Sequence, residues 1–228
     1  MKNNNKGILY LSGGMEKAVN NGVEWRKICS IHLTQLGYQP CDIADMDLQY
    51  RKVHGPVYLN NDKENELQYK SNIRYQFIYT DLRLVKEDCD AVIAYYDQSF
   101  KDGAGSFAEC QCAYDNGKPL FVVSHFEDVP GWLKSLSTKV FYNFSTLYGY
   151  LEQLPSGILK TDKYGNHHSE NHYLCSLCGD TFEKTKHHFV SKISPLYCKS
   201  CVDIVQKTRE ENADRYQFIS EFMEKCNA

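Results

Sequence analysis

Three stretches of this chain hold side chains able to do chemistry. The first surrounds Asp81, which lies four residues after Phe77, three after Ile78, three before Leu84 and four before Val85. A helix through this segment places a carboxylate on its apolar face, where an unpaired charge is costly, so the group must be paired, protonated or functional. Arg83, two positions on, does not face it; a partner from elsewhere, or a helix ending earlier, is the structural alternative. The second stretch is Asp102-Gly103-Ala104-Gly105-Ser106-Phe107-Ala108-Glu109, a glycine-rich loop that leaves a strand and enters a helix. Ser106 and Glu109 have the spacing of a helix capping box, which would make them purely structural. The third is Ser12-Gly13-Gly14, directly behind the first strand, where missing side chains let a ligand approach backbone N–H groups. An anion held there could use the Ser12 hydroxyl and the Arg26 charge; a tight turn with Arg26 in solvent is the alternative. A pocket with two carboxylates and helix N-terminal N–H groups suits reaction at a sugar carbon whose transition state is cationic.

These residues need a scaffold that brings them to one edge. Short apolar runs at Gly7 to Leu11, Ala91 to Tyr96, Pro119 to Ser124 and Lys139 to Phe144 alternate with helical patterns over 22–36, 63–88, 106–116 and 145–154. With a weaker strand at Tyr38 to Ile43, this predicts an α/β fold, a Rossmann-like doubly wound parallel sheet of about five strands. In such sheets ligands bind at the carboxyl ends of the strands, where both glycine-rich segments fall. In the first helix Trp25, Ile28, Cys29 and Leu36 share a face with His32, expected to be a satisfied core histidine. Residues 38–62 read as irregular, with a loop able to cover a substrate. From 156 to 171 the chain turns polar and loses periodicity, so residues 1–155 are expected to form the main domain, 156–171 a linker and 172–228 a second unit.

That second unit carries Cys175-x-x-Cys178 and Cys198-x-x-Cys201, with 19 residues between the pairs. The spacing is that of a four-cysteine structural zinc site, and a closed site of this kind stabilises a fold too small for its own core. A zinc ribbon followed by a terminal helix over 203–226 is expected. His187-His188 between the pairs resembles the zinc-stapled HNH endonucleases, but the Asn and His expected after the second pair are missing, since Val202-Asp203-Ile204-Val205 follow Cys201.

Composition narrows the function classes. The formal charge of −3 gives no electrostatic reason for tight nucleic-acid binding by the whole chain, although residues 159–209 hold eight Lys/Arg against five Asp/Glu. Nucleic acid thus stays open for the ribbon alone. The apolar runs are far shorter than a membrane helix or a signal-peptide core, and six of the ten cysteines are scattered in apolar or helical contexts as reduced thiols are. A cytoplasmic protein without membrane contact is the expectation.

Taken in order, Tyr10-Leu11-Ser12-Gly13-Gly14-Met15, Asp81-Leu82, Cys89-Asp90-Ala91-Val92-Ile93-Ala94, Asp102, Gly105-Ser106-x-x-Glu109, Ala113 and Gly117-Lys118-Pro119 resemble the nucleoside 2-deoxyribosyltransferases and the related 2′-deoxynucleotide N-hydrolases. The resemblance covers roughly residues 6–125. It implies that Glu109 is the nucleophile at C1′ of a deoxyribose, that Asp81 handles the base and its proton with Asp102 assisting, and that Tyr10 orients the glutamate. It further implies a deoxynucleoside or deoxynucleotide substrate near Ser12, Gly13, Gly14, Met15, Gly105 and Ser106, no cofactor for catalysis, and a homo-oligomer. A nucleotide-sensing module without catalysis, its ribbon engaging nucleic acid or protein, is the rival reading.

Overall fold

The computed structural model describes residues 6–15, 17–54, 66–161, 166–184, 196–215 and 217–218. Five strands, Ile8–Gly13 (β1), Gln39–Cys41 (β2), Ala91–Tyr95 (β3), Leu120–Val123 (β4) and Lys139–Phe141 (β5), form one sheet in the order β2-β1-β3-β4-β5. All its pairings are parallel. β1, β3 and β4 read as near-continuous apolar runs because both faces of a parallel sheet are covered.

Alternate side chains feed two cores. On one face Leu9, Leu11, Ile93, Phe121 and Val123 pack with Cys29 and Leu33 of helix Val23–Gln35 (α1) and with Leu147 and Leu151 of a later helix, Phe144–Gln153. On the other, Tyr10, Val92, Ala94, Leu120 and Val122 pack with Cys110 and Ala113 and with Leu133 of helix Gly131–Leu136. The chain leaves β1 towards β2 on one side and β3 towards β4 on the other. The carboxyl ends of β1 and β3 therefore border the crevice where such sheets bind ligands.

Two local readings need correction. The buried stripe of α1 is Arg26, Cys29 and Leu33, whereas Ile28 is 55% exposed. His32 is likewise exposed, its ring stacked on Tyr148 at 4.6 Å rather than sealed in the core. Residues Ile43–His54, expected to be irregular, form a helix (α2) opened by Asp42, whose carboxylate accepts from the Asp45 N–H at 3.2 Å. The covering loop proposed for this region lies partly outside the described residues.

The long helix expected over 63–88 is present from Glu66, but in pieces: α-helix at Glu66–Asn72 (α3) and Tyr79–Arg83 (α4), with wide π turns at Ile73–Ile78 and Leu84–Asp88. Asp81 thus sits on one α-helical turn between two π stretches, a departure from regular helix that concentrates at functional sites.

Within 156–171, expected to be a linker, several of the described residues are packed. Ile158 and Leu159 are buried in the same core as Leu154 and Leu174. His167 is buried as well, its ring nitrogens 2.7 Å from the Leu159 carbonyl and 2.6 Å from the Gly117 carbonyl. The hairpin His172–Leu174 (β6) and Thr181–Glu183 (β7) is held to the sheet edge by a Lys139–Asp180 ion pair at 2.8 Å and a 2.5 Å hydrogen bond from the Tyr150 hydroxyl to the Gly179 carbonyl. Of the expected terminal helix, the structure describes Lys199–Glu211 as continuous helix; Tyr216, Ile219 and Phe222 lie outside the described residues, as do His187 and His188. No helix among the described residues is long and apolar enough to cross a membrane.

Candidate active site

Tyr10 and Ser12 are two residues apart on β1 and so face the same side of the sheet. That side receives helix Ala104–Asp115, which lays Ser106, Cys110 and Ala113 against the strands and aims Glu109 at the end of β1. The two Glu109 oxygens are each held by one hydroxyl: Tyr10 donates to Oε1 at 2.8 Å and Ser12 to Oε2 at 2.5 Å. This arrangement replaces the capping box. The helix starts at Ala104, with Gly103 as its cap residue, and Ser106 is buried on its inner face rather than closing its end.

The electrostatics of the two carboxyl groups differ. Burial pushes the Glu109 carboxyl upward, while the hydrogen bonds from Ser12 and Tyr10 and the charge of Arg26 pull it back towards ionisation. Tyr10 itself is driven well above the ordinary phenol range by burial and by Glu109, so it remains a proton donor to the carboxylate. Asp81 is raised to about 8 by burial, then by the nearby charges of Glu109 and Asp47. With no hydrogen bond or cation among those causes, it stays protonated at neutral pH. A carboxyl group held by two hydroxyls beside a second, protonated acid supplies the pair of groups that glycosidic chemistry uses.

Other residues named from sequence fall differently. Asp102 is exposed at the end of a short helix, Gln98–Lys101, and makes no hydrogen bond to either carboxyl group. Asp97 caps that helix instead, accepting from the Phe100 N–H at 2.9 Å and the Ser99 hydroxyl at 2.6 Å. Gly105 is exposed with open space around it, and Met15 is half-buried. Ser12 spends its hydroxyl proton on Glu109. Gly14 is tightly packed, since a methyl group there would come within 2.5 Å of the Ser99 backbone. Arg26, placed either at an anion or in solvent, is 1% exposed and binds backbone carbonyls.

Sequence reasoning passed over two acids. Asp42 follows β2, is raised by burial, and heads the charges acting on Arg26; Asp97 follows β3 and acts on Arg26 too. Both are helix N-caps at the carboxyl end of a strand, a signal that the sequence carries.

No protein-family model matches this chain, and neither does any curated protein. Among solved structures it is similar to a 2-deoxyribosyltransferase from the psychrotolerant bacterium Bacillus psychrosaccharolyticus. The likeness has 14% sequence identity and a TM-score of 0.47, covering 67% of this chain and 95% of that one.

The four cysteines form a separate centre. The sulfurs of Cys175, Cys178, Cys198 and Cys201 lie within 4.8 Å of one another. Cys178 and Cys198 are 3.8 Å apart, close to the ~3.8 Å edge of a tetrahedron with ~2.3 Å metal–sulfur bonds. Backbone N–H groups of Cys198 and Asp180 point at the sulfurs of Cys175 and Cys178, at 3.4 and 3.5 Å, as suits thiolates. The set can hold a metal ion.

Proposed function

We propose that this protein breaks the N-glycosidic bond of a 2′-deoxynucleoside or deoxynucleotide through a covalent deoxyribosyl intermediate on Glu109. The observation that carries this reading is the pair of hydroxyls fixing both oxygens of Glu109 near a carboxyl group, Asp81, that remains protonated. Glu109 attacks C1′ as the bond from C1′ to the base nitrogen breaks. The bonding electron pair leaves with the base, and the Asp81 proton goes to it. The Asp81 carboxylate then takes a proton from the acceptor, another base or water, as that acceptor displaces Glu109 from C1′. Positive charge at C1′ and the ring oxygen is destabilised by an electron-withdrawing 2′-hydroxyl, so the deoxy sugar reacts faster. Transfer to a base and transfer to water use the same first step.

The four-cysteine centre is proposed to hold one zinc ion in a structural role, because four thiolates with no open position close the coordination sphere. Assembly into a homo-oligomer belongs to the same reading.

A chromatographic panel of deoxynucleosides and deoxynucleotides should show free base, and Glu109→Gln should show none while unfolding at a similar temperature. A 2′-fluorinated arabinoside should leave a mass adduct on Glu109. An adduct on another residue, or equal turnover by the variant, would overturn the mechanism.

A further inference from the structure

Arg26 is a buried cation that the glycosidic step does not use. Its guanidinium donates from Nε to the Leu11 carbonyl at 3.3 Å and from one terminal nitrogen to the Gly13 carbonyl at 2.7 Å. The other terminal nitrogen donates to the carbonyls of Asn21 and Gly22, at 3.3 and 3.2 Å. Beneath lies the Trp25 ring, 4.6 Å away. The planar fork is thereby used on every side, and a lysine could not reproduce it.

The positions of those carbonyls give the arrangement its meaning. Leu11 and Gly13 flank Ser12, the residue that hydrogen-bonds Glu109. Asn21 and Gly22 belong to a turn in which Asn20, Asn21 and Gly22 have φ of 50°, 53° and 67°. Two consecutive non-glycine residues in the left-handed region are strained, and such a turn persists only where its surroundings hold it. Here its carbonyls converge on the guanidinium. Four neutral acceptors leave the positive charge itself unbalanced, and the anionic groups acting on it are Asp42, Glu109 and Asp97, with Tyr10 also facing it.

We infer that Arg26 is a positioning residue: it clamps the peptide groups on both sides of Ser12, holds its charge within reach of Glu109, and does not bind the substrate. This rests on the reading of Glu109 as nucleophile, but not on any particular substrate. Facing Glu109 are Ser12 and Tyr10 from β1 and Arg26 from α1, with Asp81 from α4 adding a like charge when it ionises, and the thiols of Cys110 and Cys112 on its own helix, both pushed up and so neutral. Among the described residues Arg26 is the cation acting on Glu109, so its removal should be felt there.

The test is the titration of Glu109 followed by carboxyl-carbon NMR, alongside kinetics. In Arg26→Gln the Glu109 midpoint should rise by about one unit or more, a tenfold or larger loss of the ionised form on the acid side. kcat should fall with it, KM should change less than about threefold, and activity should partly recover at higher pH. Arg26→Lys should restore the midpoint while leaving kcat depressed, because a lysine returns the charge without the fork. An unmoved midpoint in Arg26→Gln, or a raised KM with kcat intact, overturns the inference. If neither variant folds, the wild-type protein decides. The Arg26 Nε–H resonance should follow the Glu109 titration, lose that response in Glu109→Gln, and stay unmoved as inorganic phosphate is added. A phosphate-induced shift, or no response to the titration, overturns it equally. None of the titrations needs turnover, so a protein without glycosidase activity would refute the nucleophile assignment and leave this result readable.

Discussion

Replacing Asp81 by asparagine should stabilise the protein at high pH and inactivate it. The Asp81 carboxyl is raised to about 8 from an ordinary 3.8, chiefly by burial. A group whose pKa is higher in the folded state favours folding fully below the unfolded value and loses that contribution as pH rises through the folded value. For Asp81 the loss therefore runs from about pH 4 to about pH 8. Over ~4 units at ~1.4 kcal/mol each, the full linkage is ~6 kcal/mol, and water reaching a half-buried carboxylate reduces it to roughly 2–3 kcal/mol. Asparagine keeps the shape and never ionises. The two proteins should melt together near pH 4, whereas at pH 9 the variant should melt higher by about 5–10 °C, at ~2–4 °C per kcal/mol for a chain of this size. Circular dichroism melts at pH 4, 6, 7.5 and 9 measure this directly. The raised carboxyls of Glu109 and Asp42 are common to both proteins and largely drop out of the difference. A Tm difference that does not grow with pH would refute the claim that Asp81 is held protonated by its surroundings. Activity provides the matching curve, since the wild-type rate should fall above about pH 8 as Asp81 loses its proton.

The hydroxyls on Glu109 should matter to the rate: Tyr10→Phe and Ser12→Ala should each lower kcat/KM by about 10- to 100-fold, as expected for losing one charge-assisted hydrogen bond. Both should also move the acid limb of the pH profile upward, and unchanged kinetics in either would remove that hydroxyl from the mechanism. Truncation after Ser156 deletes the buried side chains of Ile158, Leu159 and Leu174, worth about 1.5–3 kcal/mol each, so the fragment should be insoluble or unfolded by circular dichroism. A strong chelator should release about one zinc per chain and lower the melting temperature, which a metal-content assay with parallel melts would check.

Much of this fold could be read in the sequence, for a physical reason. Strands buried on both faces are apolar throughout, as Ala91–Tyr95 and Leu120–Val123 are, and their shortness separates them from buried helices. Asp81 is legible as a carboxylate where a carboxylate is costly, and Glu109 through the glycine-rich segment that carries the family resemblance. The cysteine pairs were visible because metal geometry fixes their spacing. What escaped depends on contacts between distant residues. The seating of Ile158 and Leu159 is set by the sheet edge they pack against, while the flanking polar residues dominate local composition. The sequence places Arg26 at an anion or in solvent because only the folded chain brings the carbonyls of Leu11 and Gly13 up to its guanidinium. Asp102 was named and Asp97 passed over because the helix that separates them, Gln98–Lys101, is only four residues long and leaves no periodic signal.

The last prediction concerns the 5′ end of the substrate. A 5′-phosphate site needs donors that are free and charges of the right sign. At the glycine turn the Ser12 hydroxyl is committed to Glu109, the Arg26 guanidinium to four carbonyls, and Gly14 to close packing with Ser99. The charges around Arg26 and Glu109 are acidic, coming from Asp42, Asp97 and, when ionised, Asp81. A dianionic phosphate brought towards these groups meets repulsion, while a 5′-hydroxyl can donate a hydrogen bond to any of them. Two unit charges ~6 Å apart at an effective dielectric of ~20 repel by ~3 kcal/mol, so even partial exposure to two carboxylates leaves a penalty above ~1.4 kcal/mol, or tenfold. The expected outcome is that a 2′-deoxynucleoside is cleaved with kcat/KM at least about tenfold above its 5′-monophosphate, by a margin that shrinks as salt is added. Equal or better use of the monophosphate would mean that a cation outside this cluster receives it; Lys17, exposed three residues beyond Gly14, is the side chain to replace next.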